Sequence, residues 1–137
     1  MMKRCIVIGS MPVDFDLKSV ISSDDFIYCA DGGYIHAQKQ GIVPDIIVGD
    51  FDSSAQPTDT TATVIKLPCE KDDTDTYYIA RQIVAEGYTH AVFCGVTGGR
   101  LDHTFANIQM LKFLEQNGVD STIIDGNTTI NVIINRN

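Results

Sequence analysis

The sequence predicts an α/β fold, in which a mostly parallel sheet is covered by helices on both faces. Three observations lead to this prediction. Short apolar, β-branched runs alternate along the chain with longer amphipathic stretches, as in strand–helix–strand units. The apolar runs are continuous rather than alternating with polar residues, which indicates strands buried on both faces. The chain has 137 residues, which is enough for a single core that needs no disulfide to hold it.

Each apolar run ends at a turn, so the strands can be placed in order. They are Cys5–Gly9, Phe26–Asp31, Asp45–Asp50, Ala62–Leu67, Ala91–Gly95 and Ser121–Asp125. Apolar spacing and a closing glycine predict helices between them, over Gly33–Gln40, Asp73–Glu86 and Asp102–Asn117. A weaker helix pattern covers Asp14–Ser22. Together these elements predict a Rossmann-like sandwich over residues 1–125.

The two longer helices carry apolar stripes that predict their buried faces. The stripe of the first is Tyr77, Ala80, Ile83 and Val84, supported by Ile79. In the second it is Phe105, Ile108, Leu111 and Leu114. The end of the chain differs from the rest: residues 126–137 are predicted to form a linker and one strand, Thr129–Ile134, that opens something further.

Composition excludes several classes of function. A formal net charge of -8 argues against a nucleic-acid or anionic-membrane surface, and no apolar run is long enough to cross a membrane. Cys5, Cys29 and Cys94 lie inside apolar runs and no CxxC is present, so we expect reduced, buried cysteines in a cytoplasmic protein and no zinc site. The acid consists of 15 Asp and 3 Glu, which favours caps, loops and metal sites, although a solubilising surface is the alternative.

Seven of the 15 Asp follow the second to fifth predicted strands. Because ligands of an open parallel sheet bind outside the carboxyl ends of its strands, this clustering predicts a site at that edge. Crowded carboxylates raise one another's pKa values unless a cation neutralises them, and Mg²⁺ prefers oxygen ligands. The predicted metal ligands are Asp50, Asp52, Asp75 and Asp102. The alternatives are an Asx turn, a helix N-cap or a first-turn acid that complements a helix dipole.

A second group of residues predicts an anion site beside the metal. Gly98-Gly99-Arg100 supplies backbone N–H groups, a helix start and a guanidinium, and Lys71 adds a cation. Asp31-Gly32-Gly33 is another close-approach turn that opens a helix. Plain strand–helix turns and surface ion pairs are the alternatives. His103 is expected to pack or hydrogen-bond rather than to transfer protons. For Asn107, one turn further along the same helix, the alternatives are that it reaches the same site or that it faces solvent.

These motifs, taken in order and with their spacing, resemble thiamine pyrophosphokinases, and the resemblance covers essentially the whole chain. The sequences that carry it are Asp31-Gly-Gly, Pro44-Asp45, Gly49-Asp-Phe-Asp-Ser53, Lys71-Asp-Asp-Thr-Asp75 and Gly98-Gly-Arg-Leu-Asp-His103 with Asn107. The resemblance implies transfer of an intact pyrophosphoryl group from ATP to the primary alcohol of thiamine, giving thiamine diphosphate and AMP. It also implies Mg²⁺, a cytoplasmic location and a homodimer.

The resemblance also implies roles for individual residues. Metal would be held by Asp50, Asp52 and Asp75, with Asp102 as a further ligand or hydrogen-bonding partner. Arg100 and Lys71 would bind phosphate oxygens, and a carboxylate such as Asp72 would accept the hydroxyl proton. The remaining nucleotide-binding candidates are Asp31, Gly32, Gly33, Thr74, Gly98, Gly99 and Asn107.

Family members continue into a smaller C-terminal β domain, which contributes to the thiamine pocket at the junction of two subunits. Thr129–Ile134 resembles only the first strand of that domain, so the chain is expected to lack the rest. Three further hypotheses therefore stay open. They are a module that binds Mg-nucleotide without transfer, a pyrophosphokinase for another small alcohol such as a pterin, and a purely structural role.

Overall fold

The computed structural model describes residues 2–51, 57, 60–67, 75–97, 101–126 and 128–132, and only the backbone of residues 101–104. The strands are β1 Arg4–Ile8, β2 Phe26–Ala30, β3 Ile46–Gly49, β4 Thr63–Lys66, β5 His90–Cys94, β6 Asp120–Asp125 and β7 Thr128–Asn131. The helices are α1 Gly33–Lys39, α2 Asp75–Ala85 and α3 Leu101–Gln116. In the described segments, no helix is both long and apolar enough to span a membrane.

All seven strands form one sheet, in the order β4-β3-β2-β1-β5-β6-β7. Neighbouring strands from β4 to β6 are parallel, and only β7 runs antiparallel. The predicted parallel α/β sheet is thereby confirmed. Strands β2, β3 and β4 lie in turn on one side of β1, and β5, β6 and β7 lie in turn on the other side. The point at which the strand order reverses therefore lies between β1 and β5. In open α/β sheets this switch point is where ligands bind.

Alternate residues of the strands supply two separate cores. On β1, Cys5 and Val7 pack into the cluster that includes the buried faces of α2 and α3. Ile6 and Ile8 point the other way, into the cluster that holds Leu17 and Ala37 of α1. Helices therefore cover both faces, and this explains why the central strands β1 and β2 are apolar on both faces.

The three described cysteines are free and fully buried, as expected from the runs that contain them. Burial raises the pKa of Cys5, Cys29 and Cys94 to about 12. These thiols behave as small apolar side chains of the two cores. Cys69 lies outside the described residues.

Two helix predictions need correction. The helix predicted over Asp14–Ser22 is wrong, because only a 3₁₀ turn forms, over Leu17–Ser19. The Asp16 side chain accepts a hydrogen bond from the Lys18 backbone N–H, a local bond that competes with helix extension.

In α3 the predicted stripe begins on the wrong residue. Phe105 is 57% exposed, and the buried stripe consists of Asn107, Met110, Leu111 and Leu114. A polar residue thus occupies the first described buried position of this helix. The α2 stripe is correct at its centre, where Ile79, Ala80 and Ile83 are fully buried.

The last described strand, β7, pairs with β6 through Ile123–Ile130 and neighbouring residues, so it extends the same sheet. The prediction that residues 126–137 open a second domain stays a prediction, since residues 133–137 lie outside the description.

Candidate active site at the carboxyl edge of the sheet

The carboxyl ends of β1 and β5 meet closely at the switch point. The Gly9 N–H donates to the Cys94 carbonyl over 2.7 Å, and the Met11 N–H donates to the Gly95 carbonyl over 2.8 Å. A Cβ on Gly95 would lie 2.6 Å from the Gly9 carbonyl oxygen, and a Cβ on Gly9 would collide with the Gly95 carbonyl. Two side-chain-free turns are therefore required here. The turn after β1 was not predicted from the sequence, although Gly9 directly after the first strand is a signal for it.

Asp31 occupies a strained turn at the end of β2. Its φ is 48°, an uncommon value for a residue with a side chain. The Asp31 N–H donates to the Val48 carbonyl over 2.6 Å, and the Asp31 Oδ1 atom is buried. A Cβ on Gly49 would lie 2.9 Å from the Asp31 Cα and 3.1 Å from that Oδ1 atom. Glycine at position 49 thus makes room for the Asp31 carboxylate.

The following glycines bring α1 against β1. A Cβ on Gly33, the first residue of α1, would overlap the Ile8 carbonyl oxygen. Gly32 stands at the N-cap position and supplies no side-chain hydrogen bond. Gly33 thus has a packing reason, and the predicted role of the Asp31-Gly32-Gly33 turn in nucleotide binding stays a prediction.

Asp50 follows β3, directly beside the Asp31 turn. The two strands are neighbours, with Ala30 opposite Val48. The next residue, Phe51, has φ 61° and packs partly buried against the core on the α1 side of the sheet. Strained backbone of this kind clusters at functional sites. The structure therefore brings Asp31 and Asp50 to adjacent positions of one sheet edge, as predicted.

Asp75 begins α2, and α2 packs against β2, β3 and α3. The next residue, Thr76, donates its hydroxyl to the Asn107 Oδ1 atom over 3.5 Å. The Asn107 Nδ2 group donates to the Val96 carbonyl over 2.5 Å. Asn107 is 9% exposed, which excludes the alternative that it faces solvent, and its predicted role in nucleotide binding stays a prediction.

Other predicted site residues cannot be placed. Those outside the described residues are Asp52, Lys71, Asp72, Thr74, Gly98, Gly99 and Arg100, and Asp102 and His103 are described by backbone alone. Among the described residues, no three His, Cys, Asp or Glu side chains are grouped closely enough to hold a metal. The Mg²⁺ ligand set thus stays a prediction. Of the four predicted ligands, the side chains of Asp50 and Asp75 are described, and their carboxylates have the oxygen chemistry that Mg²⁺ prefers.

The family model described as thiamin pyrophosphokinase, catalytic domain, matches residues 17–123, which is more than half of the chain. This range includes each predicted site residue. A search of curated proteins found no match for the chain.

Solved structures give the same result. The chain is similar to thiamine pyrophosphokinase from Bacillus subtilis, with 25% identity and a TM-score of 0.81 over 90% of this chain and 61% of that one. For the Geobacillus thermodenitrificans enzyme the identity is 27%, the TM-score 0.76 and the coverage 89% and 59%. The Candida albicans enzyme, at 20% identity, shares the fold with a TM-score of 0.75, over 92% and 59%.

The chain thus spans about 60% of the length of these solved relatives. Its sheet, the acidic edge of that sheet and the matched residues agree on one assignment: the chain belongs to the thiamin pyrophosphokinase family, whose catalytic domain it matches.

Proposed function

We propose that this chain supplies the catalytic domain of a thiamine pyrophosphokinase. The domain would transfer the pyrophosphoryl group of ATP to the hydroxyl of thiamine, giving thiamine diphosphate and AMP. One observation carries the proposal: the family match over residues 17–123 contains every turn that is predicted to carry carboxylates at one edge of the parallel sheet, including the described turns at Asp31 and Asp50.

In the proposed reaction, the thiamine hydroxyl oxygen attacks the β-phosphorus of ATP in line. A bond forms between that oxygen and the β-phosphorus, the bond from the β-phosphorus to the oxygen of AMP breaks, and AMP leaves. The hydroxyl proton passes to a carboxylate, for which Asp72 is the candidate. Such transfers ask a protein mainly for positioning and charge neutralisation.

The residues divide by role. Asp50, Asp52 and Asp75 would hold Mg²⁺, with Asp102 as a further ligand or hydrogen-bonding partner. When bound, the ion would offset negative charge on the phosphates. Lys71 and Arg100 would bind phosphate oxygens, helped by backbone N–H groups of Gly98 and Gly99. The turn at Asp31, Gly32 and Gly33, with Thr74, would complete the nucleotide site.

Thiamine would bind where a second subunit and a β domain adjoin this domain, in a cytoplasmic homodimer. That part of the proposal concerns a protein as long as the solved relatives, and this chain spans about 60% of their length.

The nucleotide site can be tested by calorimetric titration with a non-hydrolysable ATP analogue, with and without Mg²⁺. We expect Mg²⁺-dependent binding, weakened at least roughly tenfold by Asp50→Asn because a charged ligand is lost. Asp24→Asn is the matched control, since Asp24 is exposed before β2 at the opposite edge of the sheet. Failure of the wild-type chain to bind nucleotide under any metal condition would contradict the proposal.

The alternative functions are separated by measuring AMP release. Since the chain covers about 60% of its solved relatives, a module that binds Mg-nucleotide without transferring anything is the main alternative. AMP release that requires thiamine supports the pyrophosphokinase, and binding without release supports the module. Release with a hydroxymethyl pterin but not with thiamine indicates a different acceptor.

A further inference from the structure

The side chain of Asn107 joins two segments that adjoin residues of the proposed Mg-nucleotide site. Its Nδ2 group donates to Val96, two residues before the predicted phosphate-binding turn at Gly98. Its Oδ1 atom accepts from Thr76, the residue after the predicted metal ligand Asp75. One amide thus connects the start of α2 with the connection between β5 and α3.

The burial of this amide indicates that the connection is built into the fold. Asn107 continues the buried stripe of Met110, Leu111 and Leu114, a position where an apolar residue is usual. A buried polar group is costly unless it is hydrogen-bonded, and here both ends of the amide have protein partners.

The local backbone explains why a donor is needed at this position. Gly95 has φ 70° and turns the chain away from the strand, while its carbonyl accepts from Met11. Within the described segments, no backbone N–H donates to the next carbonyl, at Val96, in a residue that is 4% exposed. Asn107 supplies the missing donor. That requirement alone explains the Nδ2 bond, and it does not explain the second bond to a different helix.

We propose that Asn107 is a positioning residue for the Mg-nucleotide site: it fixes the distance between the start of α2, at Thr76, and the chain after β5, at Val96. The inference rests on the proposed function. It assigns Asn107 a role different from the nucleotide contact that the sequence suggested, because its amide already bonds to Val96 and Thr76. Residues that orient metal and phosphate ligands typically change affinity when removed, even though they touch no ligand.

The test compares variants of three residues by calorimetry with the non-hydrolysable ATP analogue and Mg²⁺. Asn107→Leu keeps the approximate size and removes both hydrogen bonds, and we expect the dissociation constant to rise roughly tenfold or more. Thr76→Val removes only the donor to Oδ1, and we expect a rise of roughly threefold, in line with one weak hydrogen bond. Thr76→Ser restores the hydroxyl and should bind as the wild type does.

A matched structural control lies further along α3. The Ser121 hydroxyl, fully buried, donates to the Leu111 carbonyl over 3.4 Å. Ser121→Ala therefore removes a buried hydrogen bond to the same helix without touching the proposed site. It should lower the thermal stability and leave the dissociation constant unchanged. If destabilising α3 were enough to weaken binding, Ser121→Ala would raise the dissociation constant as well.

The outcomes are distinguishable. Wild-type affinity in both Asn107→Leu and Thr76→Val overturns the positioning role and leaves the proposed function standing. An equal loss of affinity in Ser121→Ala also overturns it, because the effect is then one of stability. If Asn107→Leu does not fold, the difference between Thr76→Val and Thr76→Ser decides. No Mg²⁺-dependent binding by the wild type contradicts the proposed function and with it this inference.

Discussion

The two edges of the sheet are built differently. At the edge where the parallel strands begin, carboxylate side chains have close partners: Asp25 pairs with Arg4 over 2.7 Å, and Asp45 accepts from the Ile27 backbone N–H over 2.8 Å. At the edge where the strands end, the distinctive feature is the backbone conformation, since Asp31 and Phe51 both have positive φ. The first arrangement stabilises the chain ends of the strands. The second holds carboxylates in strained turns, which is typical of a site.

The glycines show the same difference. At the carboxyl edge, Gly9, Gly33 and Gly49 have backbone so close that a Cβ would not fit. Gly118, after α3 and at the amino edge, has φ 81° and nothing within 4 Å of a Cβ. Close backbone contacts require glycine at the carboxyl edge, whereas only the positive φ favours glycine at position 118. Alanine substitutions should therefore have different effects on stability at the two edges.

The largest effect is expected for Gly33→Ala. Alanine is the better helix former and would stabilise α1 by about 1 kcal/mol on propensity alone. The Ile8 carbonyl oxygen, however, occupies the place of the new methyl group, and overpacking should reduce the free energy of unfolding by about 3 kcal/mol. Urea denaturation measures this change. Gly118→Ala is the control and should cost only about 1 kcal/mol of left-handed strain. Similar losses in the two variants would remove the distinction between the edges.

Next in size is the ion pair of the amino edge. Burial by itself raises the pKa of Asp25, but hydrogen bonds from Arg4 and the Ser22 N–H, with the Arg4 charge, hold that pKa below its ordinary value. The folded pKa is therefore lower than the unfolded one. The pair's contribution is present above about pH 4, the ordinary value for Asp, and is lost as the pH falls through the lower folded pKa.

Asp25→Asn should accordingly reduce the free energy of unfolding by about 2 kcal/mol at pH 7. The difference from the wild type should shrink as the solution is acidified, because the wild-type carboxyl then becomes neutral too. Denaturation curves at several pH values check both statements. Asp24→Asn, beside it but exposed, should behave as the wild type does at each pH. A difference that does not depend on pH would mean that the pair's charge is not what stabilises this edge.

Gly49→Ala should move binding more than stability. The added methyl group would press on the Asp31 Cα and Oδ1 atoms, at 2.9 and 3.1 Å, and the end of β3 must shift to relieve it. We expect a loss of about 1 kcal/mol in unfolding free energy, at the low end of overpacking, and Mg-nucleotide binding weakened roughly tenfold. Calorimetry and urea denaturation on the same sample separate the two. Unchanged binding would show that the position of Asp31 does not matter to the nucleotide.

The positions of the strands were predicted well from the sequence, for a physical reason. Strands buried on both faces are apolar at each position, so their runs stand out without any knowledge of the partners. The predicted Phe26–Asp31 and the observed Phe26–Ala30 differ by one residue. The stripe of α3 was harder, because Phe105 is apolar but exposed while Asn107 is polar but buried.

The site was predictable only where it depends on strand direction. Parallel strands end at one edge, which is enough to bring Asp31 and Asp50 to neighbouring positions. The close approach of Gly9 and Gly95 depends on β1 pairing with β5, and strand order is not written in any local pattern. The bond from Asn107 to Val96 was likewise out of reach, since it exists only because the chain turns at Gly95.

The smallest effect concerns two buried cysteines of the central strands, one near each edge. Cys5 lies near the start of β1 and Cys94 at the end of β5; both are fully buried, and burial raises the pKa of both thiols to about 12. Since the thiolate is the reactive form, only roughly one in ten thousand would be ionised at pH 8. Neither should react measurably with a thiol reagent in the native protein, while both react after denaturation.

Peptide mapping by mass spectrometry assigns the label to individual cysteines. If Cys5 and Cys94 are protected equally, the two edges differ only in their turns, and the buried core excludes the reagent equally well at both ends of the strands. Labelling of Cys94 before Cys5 would show instead that the strained turns let the carboxyl edge open locally, at a lower free energy than global unfolding. The contrast between the edges would then extend from backbone geometry into the stability of the strands themselves.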